Sequence, residues 1–202
     1  MGGPPRRLVV ATRNDHKLRE LGEILTGAEL VALPEHVELP PEEGDTFAEN
    51  ALVKARAAHE ATGEAAIADD SGIEAAALDG RPGVRSARFA GPAATDEQNL
   101  ALLISELEGA DDRSVAYVCA LAHVDADGEA LVVEGRCEGH LISEPRGSGG
   151  FGYDPAFVPA DTAADDERTM AELDLDEKHA ISHRGRAART LAERLGVGEP
   201  VR

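Results

Sequence analysis

The chain has 202 residues, the length of one domain or of a domain with a second lobe, and a 42% apolar fraction that supports a core and excludes wholesale disorder. Its 39 acids against 20 bases give a formal charge of −19, which repels nucleic acid and leaves no basic patch for an anionic membrane. No apolar run approaches the roughly 20 residues of a membrane-spanning helix, Met1 to Arg7 lacks the form of a secretory signal, and Cys119 and Cys137 make neither a disulfide framework nor a metal site, so a soluble cytoplasmic protein is expected.

Leu8 to Ala11 is a short apolar run and reads as a buried strand. After Thr12-Arg13-Asn14-Asp15, apolar Leu18, Leu21, Ile24 and Leu25 recur at helical spacing, and Gly27 stops the helix. Glu29 to Leu33 reads as a second strand and Pro34 to Gly44 as an acidic loop. Asp45 or Thr46 caps a helix that runs to Thr62 and ends at Gly63. Ala65 to Ala68 is a strand that ends on Asp69-Asp70-Ser71-Gly72, and the chain is extended again from Ile73 to Leu78. Gly80 to Pro92 is a loop, and Thr95 caps a helix to Leu107. Ser114 to Val124 and Ala130 to Ile142 are strands joined at an Asp127-Gly128 turn. Gly147 to Gly152 is a glycine loop, followed by an extended Ala156 to Val158. Short helices are expected at Thr169 to Leu173 and Glu177 to Ala180, and a final helix over Gly185 to Leu195. The expected fold class is α/β: one domain over residues 1–202, with a mixed central sheet, one antiparallel section and helices on both faces.

Two counts point to chemistry. Only three lysines stand against seventeen arginines, so Lys17, Lys54 and Lys178 are candidates for positions that need a compact ammonium. Only six aromatics exist, and Phe151, Tyr153 and Phe157 fall in one seven-residue stretch beside the glycine cluster.

Five segments follow from this. Thr12, Arg13, Asn14, Asp15, His16 and Lys17 form a strand-to-helix turn, which aims backbone N–H groups and a positive helix end at one spot suited to phosphate, although a simple helix cap by Asn14 or Asp15 fits the same residues. Asp69 and Asp70 point to opposite sides of an extended chain, so one can face a ligand, hold Mg²⁺ or deprotonate water while the other makes structural bonds. The loop Glu42-Glu43-Gly44-Asp45, with Glu49 and Lys54 behind it, can add a second metal carboxylate or be solvated surface. In Gly147 to Pro155 the glycines permit close backbone approach, Phe151 or Tyr153 can stack on a base, and Asp154 can accept from a ring N–H. In Lys178 to Gly185, Ser182 can cap the last helix. His183 and Arg184 then lie in its first turn, where cations are poorly placed for helix stability and can instead donate to a carbonyl oxygen.

Taken in order, these segments resemble the inosine/xanthosine triphosphate pyrophosphatase family of house-cleaning nucleotide hydrolases. The matching residues are Thr12-x-Asn14-x-x-Lys17, Thr46-Phe47-x-Glu49-Asn50-Ala51-x-x-Lys54-Ala55 and Ala68-Asp69-Asp70-Ser71-Gly72. They continue with Pro82-Gly83-x-x-Ser86-Ala87-Arg88, Gly149-Gly150-Phe151-Gly152-Tyr153-Asp154-Pro155 and Glu177-Lys178-x-x-Ile181-Ser182-His183-Arg184-Gly185. They extend over residues 8 to 195 and contain all three lysines.

The resemblance implies an elongated fold with two lobes flanking a substrate cleft, a homodimer, and Mg²⁺ as cofactor. It implies hydrolysis of ITP, dITP and XTP to the monophosphate and pyrophosphate, with a small-molecule purine nucleotide, and neither nucleic acid nor membrane, as partner. Carried over by position, Asp70 is the general base and a metal ligand with Glu42, Glu43 being the alternative to Glu42. Residues Thr12 to Lys17 and Lys54 take the phosphates. Ser71, Phe151, Gly152, Tyr153, Asp154, Lys178, His183 and Arg184 line the substrate site, and donors from His183 and Arg184 meet a 6-keto oxygen that adenine lacks. Arg13 stands where many members have Gly, so its side chain either adds charge near the phosphates or points away. Two other readings stay open: a related nucleotide pyrophosphatase of another base preference, as among Maf-like proteins, and a nucleotide sensor without catalysis.

Overall fold

A computed structural model describes residues 6–163 and 165–197. The fold is α/β, built on a six-stranded mixed sheet. In chain order the elements are β1 (Arg6–Val10), α1 (Asp15–Ile24), β2 (Ala28–Ala32), α2 (Phe47–Thr62), β3 (Ala66–Ala75), α3 (Asp96–Glu106), β4 (Ser114–Val124), β5 (Ala130–Leu141), β6 (Phe157–Pro159), α4 (Leu175–Ile181) and α5 (His183–Leu195). The strands run in the order β2-β1-β3-β4-β5-β6. β1 is parallel to β2 and to β3, while β5 and β6 are antiparallel.

Local chemistry accounts for most boundaries. Asn14 caps α1, its Oδ1 accepting from the backbone N–H groups of His16 and Lys17 at 2.9 and 3.3 Å. Thr46 with Glu49, and Thr95 with Gln98, form capping boxes at the starts of α2 and α3. Gly63 ends α2 in the left-handed conformation, at φ 69°.

The described residues of Met1–Asp70, Cys119–Gly135 and Arg184–Arg202 make one compact unit, and those of Ser71–Val118 and Arg136–His183 a second. The first has a core of Leu8, Val10, Leu21, Leu25, Ile67, Leu121 and Leu191. The second is built on Ile73, Leu103, Leu107, Tyr117, Leu141, Tyr153, Phe157 and Met170.

Three expectations need correction. Asp69-Asp70-Ser71-Gly72 does not end a strand but lies inside the ten-residue β3. Its two buried carboxylates are matched by cations from distant segments, and Gly72 is there for close approach rather than for a turn: a Cβ would lie 2.4 Å from Ser86 Oγ and 2.6 Å from the Gly83 carbonyl. The segment Ile73 to Leu78 is extended only to Ala75, and Ala76–Leu78 winds into a 3₁₀ turn. Thr169 to Leu173 is a turn rather than a helix. Thr169 spends its hydroxyl on the Arg146 carbonyl (2.9 Å) and its N–H on Glu172 (2.8 Å), which fixes the segment without helical pairing.

Candidate functional site

Each unit carries its own cluster of buried polar groups. In the first, α1 brings Lys17 to β3, where its Nζ lies 3.0 Å from Asp69 Oδ2. The same oxygen accepts from Arg184 Nε and Nη2 at 3.3 and 3.2 Å, and Arg184 Nη1 donates to Glu20. Asp69 and Arg184 are 1% and 2% exposed. Burial works to raise the Asp69 pKa, but Lys17, Arg184 and Lys54 hold this carboxyl well below the usual carboxylate range. Arg184 thus sits in the first turn of α5 because two carboxylates neutralise it there. Nothing in the local sequence names these partners.

Asp70 behaves differently from its neighbour. Its Oδ2 accepts from Asn50 Nδ2 at 2.9 Å, and its Oδ1 lies 3.7 Å from Lys54 Nζ. Lys54 Nζ also donates to Glu42 Oε1 at 2.5 Å, so Glu42 and Asp70 converge on one cationic spot. Burial raises the Asp70 pKa, with the Glu42 charge adding to it and Lys54 opposing. For Lys54, burial disfavours the ammonium, but Asp69, Asp70 and Glu42 outweigh it and raise the pKa. Asn50, 3% exposed, also accepts from the Gly44 N–H at 2.8 Å, and so ties the acidic loop to β3.

The 12–17 turn is half-buried at Thr12 and Lys17 and exposed between them. Asn14 N–H donates to Thr12 Oγ1 at 3.1 Å, and the Asn14 side chain caps α1. Arg13 takes the second of its two outcomes: its guanidinium donates to the carbonyls of Leu33, Pro34 and Val37 at 2.7–2.8 Å. Its charge anchors the 33–37 segment, while Asp15 and His16 are exposed in the first turn of α1.

In the second unit, Asp154 is the hub. Its Oδ1 accepts from Tyr117 Oη at 3.0 Å, and its Oδ2 accepts from Lys178 Nζ at 2.8 Å and Phe151 N–H at 3.0 Å. Lys178 Nζ lies 5.3 Å from the centroid of the Phe151 ring. Gly150 makes this possible: its φ is +71°, and a Cβ there would lie 2.0 Å from Asp154 Oδ2. The glycine loop therefore wraps its own carboxylate. Gly152 N–H donates to Asp96 at 2.9 Å. Tyr153 is buried, with its hydroxyl on the Ser86 carbonyl (2.7 Å), and belongs to the core, so the half-buried Phe151 is the aromatic left to meet a base. Ser71 is half-buried in β3, and His183 is buried with its ring against Tyr117.

Asn50, Glu20 and Tyr117 escaped the sequence reading as functional residues. A buried Asn or Glu carries no local signature, but Tyr117 had one signal, being one of only two tyrosines. Cys119, by contrast, is chemically quiet: burial pushes its thiol up to about 12. Among the described residues, no helix is long and apolar enough to cross a membrane.

The arrangement can do two things. Lys17 and Lys54, each beside a buried carboxylate, can offer positive charge to an anionic ligand, and Asp70, 3.7 Å from Lys54 and with a pKa raised by burial, can take up a proton. Comparison with known proteins agrees in kind. The chain is 48% identical over 196 residues to a dITP/XTP pyrophosphatase of Geobacter sulfurreducens, covering 94% of this chain and 96% of that protein. It is 50% identical over 198 residues to a dITP/XTP pyrophosphatase of Mycobacterium tuberculosis, covering 94% and 95%. Its fold matches a HAM1 protein from Coxiella burnetii with a TM-score of 0.84 and 42% identity over 95% of this chain and 98% of that one. The model of the Ham1 family matches residues 8–194, nearly the whole segment over which the motifs are spread, and the chain belongs to that family.

Proposed function

We propose that this chain hydrolyses deaminated purine nucleoside triphosphates (ITP, dITP and XTP) to the nucleoside monophosphate and pyrophosphate, and so removes them from the nucleotide pool. The observation that carries the reading is the Glu42–Lys54–Asp70 cluster, with Lys54 Nζ 2.5 Å from Glu42 and 3.7 Å from Asp70. The names of the relatives, dITP/XTP pyrophosphatases, supply the substrate class.

Glu42 and Asp70 suit magnesium: both are hard oxygen donors converging on one cationic spot, and Mg²⁺ takes one or two carboxylates and completes its shell with phosphate oxygens and water. When bound, the ion neutralises triphosphate charge. The chain's own groups do the rest. Lys17, Lys54 and the N–H groups of residues 12–17 hold the phosphates, so the chemistry is positioning and electrostatics. Asp70 accepts the proton of the water that attacks the α-phosphorus, as the bond from that phosphorus to the bridging oxygen breaks and pyrophosphate leaves. Ser71 stands beside Asp70 in β3. Phe151 stacks on the base, with Gly152, Tyr153 and Asp154 shaping the loop around it. Lys178 and His183 supply donors for the purine's keto oxygens. Arg184, through Asp69, keeps Lys17 in place. The resemblance further supports a cytoplasmic homodimer acting as one pyrophosphatase domain.

Product analysis with ITP and Mg²⁺ tests the reading. IMP and pyrophosphate are expected in equal amounts. IDP and orthophosphate, or binding without turnover, would contradict it, the last in favour of a nucleotide sensor.

A further inference from the structure

Tyr117 on β4 touches two of the segments read as substrate-binding, one with each part of its side chain. It is 6% exposed. Its hydroxyl donates to Asp154 Oδ1 at 3.0 Å. Its ring lies flat against the His183 imidazole, with centroids 4.6 Å apart and planes 10° from parallel, and leans on Phe157 at 4.7 Å and 41°. Burial and the Asp154 charge push its phenol pKa well up, so the oxygen keeps its proton and remains a donor.

The consequence lies in the Asp154 carboxylate. Tyr117 holds one oxygen, and Lys178 Nζ and Phe151 N–H hold the other. The carboxylate is 4% exposed, so water is a poor substitute for any of the three donors. Without the phenol, the carboxylate can turn about its Cβ–Cγ bond, and the Lys178 ammonium and the Phe151 loop move with it. Asp154 is in this sense the anchor of Lys178.

We propose that Tyr117 is a positioning residue for base recognition: through Asp154 it sets Lys178 and the Phe151 loop, and with its ring it sets His183. This rests on the functional reading above and deepens it, since it makes the ability to tell a keto purine from adenine depend on a residue that need not touch the nucleotide.

Tyr117→Phe removes the hydroxyl and keeps the ring, so it tests the Asp154 half without opening the core. Steady-state kinetics on ITP and ATP provide the readout, with melting temperature as a check on the fold. The KM for ITP is expected to rise about fivefold or more, by the usual effect of a lost bond to a buried charge. The kcat for ITP should stay within about twofold, and kcat/KM for ATP should fall several-fold less than for ITP, because adenine shares the stacking on Phe151 but presents no keto oxygen. In an Asp154→Asn background the same substitution should add less than about twofold, since Tyr117 acts through that carboxylate. An unchanged KM for ITP, equal losses on ITP and ATP, or full additivity with Asp154→Asn would each overturn the proposal. If the wild-type enzyme releases no pyrophosphate from ITP, the functional reading falls and takes this proposal with it. If the wild type turns over and Tyr117→Phe is silent, only the proposal falls.

Discussion

Adjacent Asp69 and Asp70 should respond in opposite ways to the same substitution. Asp69 Oδ2 receives Lys17 Nζ at 3.0 Å and two Arg184 nitrogens at 3.2 and 3.3 Å; Asp69 and Arg184 are out of water and Lys17 is half-buried. Asp69→Asn removes the charge that Arg184 Nε and Nη2 face and leaves this 2% exposed guanidinium with less neutralising charge, although Glu20 still accepts from its Nη1. Breaking a buried pair in this way costs about 3–5 kcal/mol. For a chain of this size that lowers Tm by about 6–20 °C. Asp70 is the reverse case. Burial raises its pKa, so its charged form is held at a disadvantage, and a neutral amide of the same shape relieves that. The amide oxygen can still accept from Asn50, and Lys54 keeps Glu42 at 2.5 Å. Asp70→Asn should therefore stay within about 1 kcal/mol of wild type, or gain, while turnover falls more than tenfold, a loss above about 1.4 kcal/mol in the barrier. Thermal melts and pyrophosphate release on both variants decide it. If Asp70→Asn melts as low as Asp69→Asn, the division of labour drawn from the geometry is wrong. If it keeps a tenth or more of wild-type kcat, Asp70 is not the base.

Two further substitutions follow. Lys17→Arg and Lys54→Arg should each lower kcat/KM for ITP about tenfold or more, because the guanidinium is broader and reaches further than the ammonium now beside Asp69 or Glu42 and would intrude on the phosphates; wild-type values in both would make the scarcity of lysine a coincidence. His123 is 4% exposed, its Nε2 has no hydrogen-bond partner among the described residues, and burial together with Arg6 lowers its pKa. A histidine with a depressed folded pKa gives stability that is full above the ordinary value near 6.5 and is lost as pH falls toward the folded pKa. Unfolding by urea at pH 7 and pH 5.5 should therefore show a smaller acid loss in His123→Gln than in wild type, and equal losses would refute the assignment.

How much was legible in the sequence depended on the range of the interaction. Caps and stops are local, so a cap at Asp45 or Thr46, the Thr95 cap, the Gly63 stop and the Asp127-Gly128 turn are readable in the sequence; the structure settles the first on Thr46 and adds its reciprocal bond with Glu49. The candidate site was legible as a set of segments but not as a set of bonds. Asp69 and Asp70 looked like a strand end because two acids in a strand are costly. What makes them affordable is Lys17, Lys54 and Arg184, between 16 and 115 residues away, which no local window connects to them. The glycines of the loop read as room for a ligand to approach the backbone, whereas the group that approaches Gly150 in the structure is the chain's own Asp154, which no local pattern shows. Phe151 and Tyr153 read alike as aromatics for stacking, and what separates them is burial: Tyr153 is 5% exposed, with its hydroxyl on the distant Ser86 carbonyl.

Selectivity for deaminated purines, in a reaction that yields pyrophosphate, is the property that the proposed site must show. Initial rates of pyrophosphate release, measured with Mg²⁺ across ITP, dITP, XTP, ATP, GTP, dTTP and UTP, test it most directly. The kcat/KM values for ITP, dITP and XTP are expected to lie at least about a hundredfold above that for ATP, since unpaired buried donors discriminate strongly against an amino group. Equal values for ITP, dTTP and UTP would contradict it and point to a general nucleotide pyrophosphatase.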